Sequence, residues 1–340
     1  MMVTFCHYWG SRGHTSHARL VELIGANFVD FYRLYKEQWM PRDALRQLLN
    51  DNLFISEGMN PMFLLYLIKL LNRRKKIIAL FADGMPYVFS KKPKWYFEGS
   101  GGIKRFMKKV YVDFVSSKLF DKIDAGIAVS KLEKEYVLRM NPDIRVEIAY
   151  PYVTSEKYNE LTKVVPDLQT HRIFTIADWR AYKGVDLLLE AFRIVKGEIE
   201  DAELLVRGSG FNYPRIEAVQ FLDRVPNLSV IFGKSSLYVQ PSKFDPFPVS
   251  VLESMLAGVP PVVTSMVGTK EVVEELGEDF IRAVRADDIA EGILRYFDLS
   301  LSRKERISRK CREIAMKFDE ETCSKKFRKV FFEIVEYLER

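Results

Sequence analysis

Apolar and polar positions along the chain alternate between two patterns. Short apolar runs at residues 3–7, 29–34, 53–56, 77–81, 125–130 and 146–150 read as strands. Between several of them the apolar positions recur at helical spacing, over 16–24, 61–71 and 103–120. The second half repeats the alternation, with strands at 173–177, 203–206, 218–222, 237–239 and 261–264. Helices are predicted from Gly184 onward, over 248–258, 269–275 and 287–297, and through most of 302–340, where Phe327, Val330, Phe331 and Val335 share a face. Residues 226–234 read as a short element. Residues 151–165 show no strong period and read as a linker between two halves. Strands alternating with helices predict an α/β fold with parallel sheets.

Composition narrows this picture. A chain of 340 residues, 48% hydrophobic and 13% aromatic, has material for about two packed domains. The net charge of +6 suits polyanionic partners such as nucleotides or an anionic membrane. No recognised nucleic-acid motif accompanies it. The three cysteines and four histidines show no metal-ligand spacing, so no metal site is expected and a reducing cytoplasm is the simplest location. The start of the chain lacks the apolar region of a signal peptide. The longest apolar run, 62–71, is broken by Lys69 and is too short to span a bilayer.

Candidate chemistry concentrates in residues 239–264. A buried strand runs into a loop carrying Asp245, Phe247 and Pro248. Proline suits the first helical turn, and Gly258 with Pro260 and Pro261 ends the helix. The free N–H groups at such a helix start, near Val249 and Ser250, form an anion site. Glu253 would stand about 7–8 Å along the axis, at about 1.5 Å per residue, in reach of a ribose next to a bound diphosphate. Ser250 shares its face. Asp245 could reach a sugar beyond the diphosphate.

The order Asp245, seven residues, Glu253, then Ala257-Gly258-Val259-Pro260 resembles the retaining GT-B glycosyltransferases, in particular family 4 and its relatives. So does Lys183-Gly184 before a helix, with an arginine nearby, Arg180. The chain departs from that family's pattern at Asp245, where glutamate is usual, at Pro248, where glycine is usual, and at Asp178, which occupies the usual arginine position. The resemblance implies two Rossmann-like domains facing a cleft: residues 1–155 for the acceptor, 156–315 for the nucleotide-sugar donor, and 316–340 packing back on the first. It implies a hexosyl transfer with retention, from a UDP- or GDP-linked sugar, without metal or other cofactor. Lys183 and Arg180 would flank the diphosphate together with Val249 and Ser250. Glu253 would hold the ribose, Asp245 and Phe247 would line the sugar, and Asp83, Lys183 and Asp245 form the expected catalytic set. The acceptor, a glycan, a lipid-linked molecule or a protein, would enter near Asp83 and a loop carrying Gly10, Gly13 and His14, and Gly10 and Gly13 would also approach the donor.

Several readings stay open at this level. Asp83-Gly84 is also a turn-forming pair. The basic helix carrying Lys104, Arg105, Lys108 and Lys109 suits either a solvated face of a packed helix or peripheral contact with an anionic membrane. A nucleotide-sugar epimerase, or a non-catalytic relative that binds nucleotide sugar, would share the same motifs.

Overall fold

The structure is a computed structural model, and it describes residues 2–7, 15–31, 42–59, 61–98, 101–114, 118–210, 216–222 and 227–340. Gly10, Gly13 and His14 lie outside the described residues, as does the far end of the strand expected over 29–34. The chain forms two compact units, Met1–Pro151 with Glu321–Arg340, and Tyr152–Glu320.

The first unit is built on a six-stranded parallel sheet: β1 (Val3–His7), β2 (Asn27–Asp30), β3 (Leu53–Glu57), β4 (Lys76–Phe81), β5 (Ala125–Ala128) and β6 (Arg145–Ile148). Their order is β2-β1-β3-β4-β5-β6. Alternate residues of each strand point to opposite faces. Ile77, Ala79 and Phe81 of β4 enter one core, and Ile78 and Leu80 enter the other. The second core is closed by the Glu320–Glu339 helix, whose Phe327, Val330, Phe331 and Ile334 pack against Phe5, Ile55, Leu80 and Ile127. The predicted apolar stripe is therefore the face that the helix buries.

The second unit holds β7 (Arg172–Ile176), β8 (Glu203–Arg207), β9 (Val219–Leu222), β10 (Leu237–Gln240), β11 (Pro261–Thr264) and β12 (Ile281–Arg282), in the order β12-β11-β10-β7-β8-β9, all parallel. The segment read as a linker is not unstructured: Ser155–Leu161 is a helix. It is short, and its neighbours come from far along the chain, so no local period announces it. The element expected over 226–234 is the Leu228–Gly233 helix, started by the Asn227 side chain accepting from Ser229 N–H at 2.9 Å.

Among the described residues no helix is long and apolar enough to cross a membrane. The Gly102–Phe114 helix nevertheless leaves Ile103, Phe106, Met107 and Val110 between 51% and 80% exposed, and buries only Val112. The Met62–Leu71 helix beside it exposes Leu67, Leu70 and Leu71. The two are joined through the rings of Phe63 and Phe114, 6.5 Å apart.

Candidate functional site

The order of strands in the second unit fixes where a ligand fits. From β7 the chain steps outward to β8 and β9, then returns to the other side of β7 for β10, β11 and β12. The loops leaving β7 and β10 therefore diverge, and open α/β sheets bind ligands in the crevice made there. Residues 177–184 leave β7 and residues 241–248 leave β10. Those are the two segments that carry the candidate residues.

The loops are held close. Gly184 has φ +69°, and a Cβ on it would sit 2.0 Å from the Pro241 carbonyl oxygen. Only glycine allows that approach. Lys243 N–H donates to Tyr182 O at 2.7 Å, and Lys243 Nζ reaches Asp186 Oδ2 at 2.6 Å. Across this junction Lys183 Nζ donates to Asp245 Oδ2 at 2.7 Å. Burial works to lower the Lys183 pKa, but Asp245 and Tyr182 outweigh it and the ammonium is held above its ordinary value. Asp245 is itself fixed by backbone bonds to the loop after β11: its N–H donates to Met266 O and its carbonyl accepts from Gly268 N–H.

The Val249–Leu256 helix starts beside this pair, with Pro248 as its extended N-cap. The Val249 and Ser250 N–H groups find no acceptor among the described residues, as expected of a helix start. Beneath them lies a polar network. The Tyr238 hydroxyl, buried and with its pKa pushed well up by that burial, is 2.7 Å from Gln240 Oε1 and 2.9 Å from Ser250 Oγ. Gln240 Nε2 donates to Ser242 Oγ at 2.8 Å. The Ser250 hydroxyl is thus occupied in holding the helix start, and its backbone N–H is the group left for an anion. Glu253, 5% exposed, receives Lys157 Nζ on Oε1 at 2.5 Å.

The structure brings Lys183, Asp245, Val249, Ser250 and Glu253 onto two adjoining loops and one helix. Arg180 lies on the β7 loop, its guanidinium 3.3 Å from the Tyr182 hydroxyl. Asp178, in the place where the resembled family has arginine, accepts from Ser209 N–H and Oγ at 3.0 and 2.9 Å and ties the β7 loop to the β8 loop. Phe247 is buried, with its ring 6.4 Å from that of Phe318.

The candidates of the first unit gather at the carboxyl edge of its own sheet. Asp83 follows β4 and accepts from Met59 N–H and Met85 N–H, both at 3.1 Å. Its carboxylate lies against Gly58, where a Cβ would be 2.4 Å from Oδ2; the residue is exposed as a whole, but desolvation of the carboxylate raises its pKa against the pull of its backbone N–H donors. Asp83-Gly84 does form a turn, in which Gly84 takes φ +72° at the start of the following helix.

Two groups escaped sequence reading. His7 ends β1 and Glu57 ends β3, the strands on either side of the switch in the first sheet. They form a buried Nδ1–carboxylate pair, and His7 Nε2 has no partner among the described residues. The other is Lys157, on the helix taken for a linker. Both pairs span dozens of residues of sequence, and the sole available signal was the position of His7 and Glu57 at strand ends.

Residues 170–298 match the family described as Glycosyl transferases group 1. Over 147 residues the chain is 28% identical to an uncharacterized glycosyltransferase of Haemophilus influenzae. The match takes in 40% of this chain and 40% of that protein, so the chain spans less than half of that relative's length. The solved structure of Anabaena HepE in complex with UDP and glucose is similar at a TM-score of 0.69 and 13% identity, over 98% of this chain and 100% of that one. Sucrose-phosphate synthase from Thermosynechococcus elongatus is similar at 0.69 and 13%, over 99% and 100%. Two parallel sheets in this order, matched over nearly the whole chain, define the GT-B fold. Within it, residues 170–298 are the part that matches the group 1 glycosyl transferase model.

Proposed function

We propose that the protein is a glycosyltransferase that takes a sugar from a nucleoside-diphosphate sugar held on the second unit and passes it to an acceptor held on the first. The observation that carries this reading is the meeting of Lys183 and Asp245 at the switch between β7 and β10, beside a helix start with free N–H groups. As the bond from the sugar to the diphosphate breaks, the leaving group gains negative charge. On this reading Lys183, Arg180 and the Val249 and Ser250 N–H groups would stabilise that charge in place of a metal ion. Glu253 would accept from the ribose hydroxyls, and Asp245 would orient the sugar. The family resemblance supports retention at the anomeric carbon, and the binding of UDP and UDP-glucose by HepE makes a uridine donor the first to test.

For the acceptor, the carboxyl edge of the first sheet offers His7, Glu57 and Asp83. The exposed apolar face of the Gly102–Phe114 helix, on a helix that also carries Lys104, Arg105 and Lys109 on its flanks and Lys108 against Tyr96, supports an acceptor carried by an anionic membrane.

A thermal-shift series over UDP-, GDP-, ADP- and TDP-sugars tests the donor. The matching nucleotide raises Tm, since ligand at about 100 times its Kd adds about 2.7 kcal/mol to stability. No shift with any of the four at millimolar concentration overturns the proposal. Conversion of the donor to another nucleotide sugar with no acceptor present would make the protein an epimerase instead.

A further inference from the structure

Lys157 stands on a part of the chain to which no role in the site is assigned, yet its ammonium meets the carboxylate expected to hold the donor ribose. The pair differs from the ordinary surface pairs of this protein. In Arg139–Glu135 and Lys325–Glu321 both partners are well exposed and sit one helical turn apart. In Lys157–Glu253 the carboxylate is 6% exposed, and the partners lie 96 residues apart.

The frame around the pair is hydrogen-bonded at both ends. Arg312 donates to Thr162 O and Val164 O, just beyond the Ser155–Leu161 helix, and to Leu256 O and Ala257 O at the end of the Val249–Leu256 helix. One guanidinium therefore fastens the end of the Lys157 helix to the end of the Glu253 helix. At the other end, Ser155 N–H and Oγ donate to Glu320 Oε2 at 3.0 and 2.7 Å. Lys157 is delivered to Glu253 by two anchored helices.

The chemistry follows from the lone pairs. An ionised carboxylate offers about four acceptor positions on its two oxygens. Lys157 takes one on Oε1, and Oε2 accepts from none of the described residues. The contact occupies one edge of the carboxylate and leaves its other acceptor positions for a ligand.

We propose that Lys157 is a positioning residue for the donor: it fixes Glu253 so that the remaining carboxylate positions receive the ribose hydroxyls, and so sets the preference for ribonucleotide over deoxyribonucleotide. This rests on the reading of the second unit as the donor site. The test is calorimetric titration of the full chain, and of Lys157→Met and Lys157→Arg variants, with UDP and 2′-deoxy-UDP, and with GDP and 2′-deoxy-GDP in parallel. Native protein prefers the ribonucleotide roughly tenfold, about one charged hydrogen bond's worth. Lys157→Met brings that preference to about twofold or less by weakening the ribonucleotide, with the deoxynucleotide nearly unmoved. Lys157→Arg restores most of the preference. Equal weakening of both nucleotides, no change, or tighter binding in Lys157→Met overturns the proposal, as does a native protein that binds both alike. A native protein that binds no nucleotide overturns the donor-site reading itself, a separate result. The Lys157 side chain is half exposed, so both variants are expected to fold, and Lys157→Arg keeps the pair in any event.

Discussion

Lys183 is the residue on which charge and geometry meet. Its ammonium is held above the ordinary value of 10.5, by Asp245 and Tyr182 acting against burial. A lysine whose folded pKa is raised contributes its full stability below the unfolded value, and loses it as pH rises through the folded one. We therefore expect the Tm gap between native protein and Lys183→Met to be constant from about pH 6 to 9.5 and to close only above about 10.5. Nucleoside diphosphate affinity of the variant should fall roughly tenfold to a hundredfold, the range for a lost charged hydrogen bond. Melting curves and titrations across that range check both. At this scale much was legible in the sequence. The helix start after Pro248 and the family resemblance single out Lys183, Asp245 and Glu253, and the structure sets Lys183 against Asp245. Ser250 was placed correctly on the helix, but its bond to Tyr238 depends on a side chain from a neighbouring strand. The burial of Phe247 beside Phe318 depends on a segment 71 residues away, which no local pattern reports.

Among the elements, those with a long apolar stripe were readable and the short ones were not. The Glu320–Glu339 helix shows its buried face in its own spacing. The Ser155–Leu161 helix buries only Leu161 and is kept in place by polar bonds from Arg312 and Glu320. The Gly102–Phe114 helix has the helical period, but a period does not say what covers the face. Here Phe106, Met107 and Val110 stay exposed. We expect the protein to pellet with vesicles containing anionic lipid, more weakly at high salt, because each basic residue near the surface contributes about 1 kcal/mol. Replacing Phe106 and Met107 by serine should abolish pelleting while leaving the melting temperature within a few degrees. Equal recovery with neutral vesicles would argue against the charge contribution.

For the molecule as a whole, the alternation of strand and helix was enough to give two parallel sheets, because parallel pairing requires crossovers and the crossovers have helical spacing. Sheet order was not readable, since each strand's neighbours are chosen by packing on both faces. That order makes a switch point in each unit, and so selects which loops carry chemistry. It also leaves the first unit dependent on the final helix. Removing residues 321–340 uncovers Phe5, Ile55 and Leu80, and we expect the truncated chain to lose the cooperative transition of the first unit while the second still melts as a unit. Calorimetry of the shortened chain would show one transition where the native chain shows both.

This last dependence reaches into biosynthesis. A ribosome making the chain finishes β1 through β6 early, but the helix that shields one side of their sheet is translated only after all of Tyr152–Glu320 has been made. At about 5–20 residues per second that interval lasts on the order of ten to thirty seconds. During it, a nascent sheet waits with one oily side bare. The earlier-made of the two units is therefore the later to mature, and gains from a chaperone's cover in the interval.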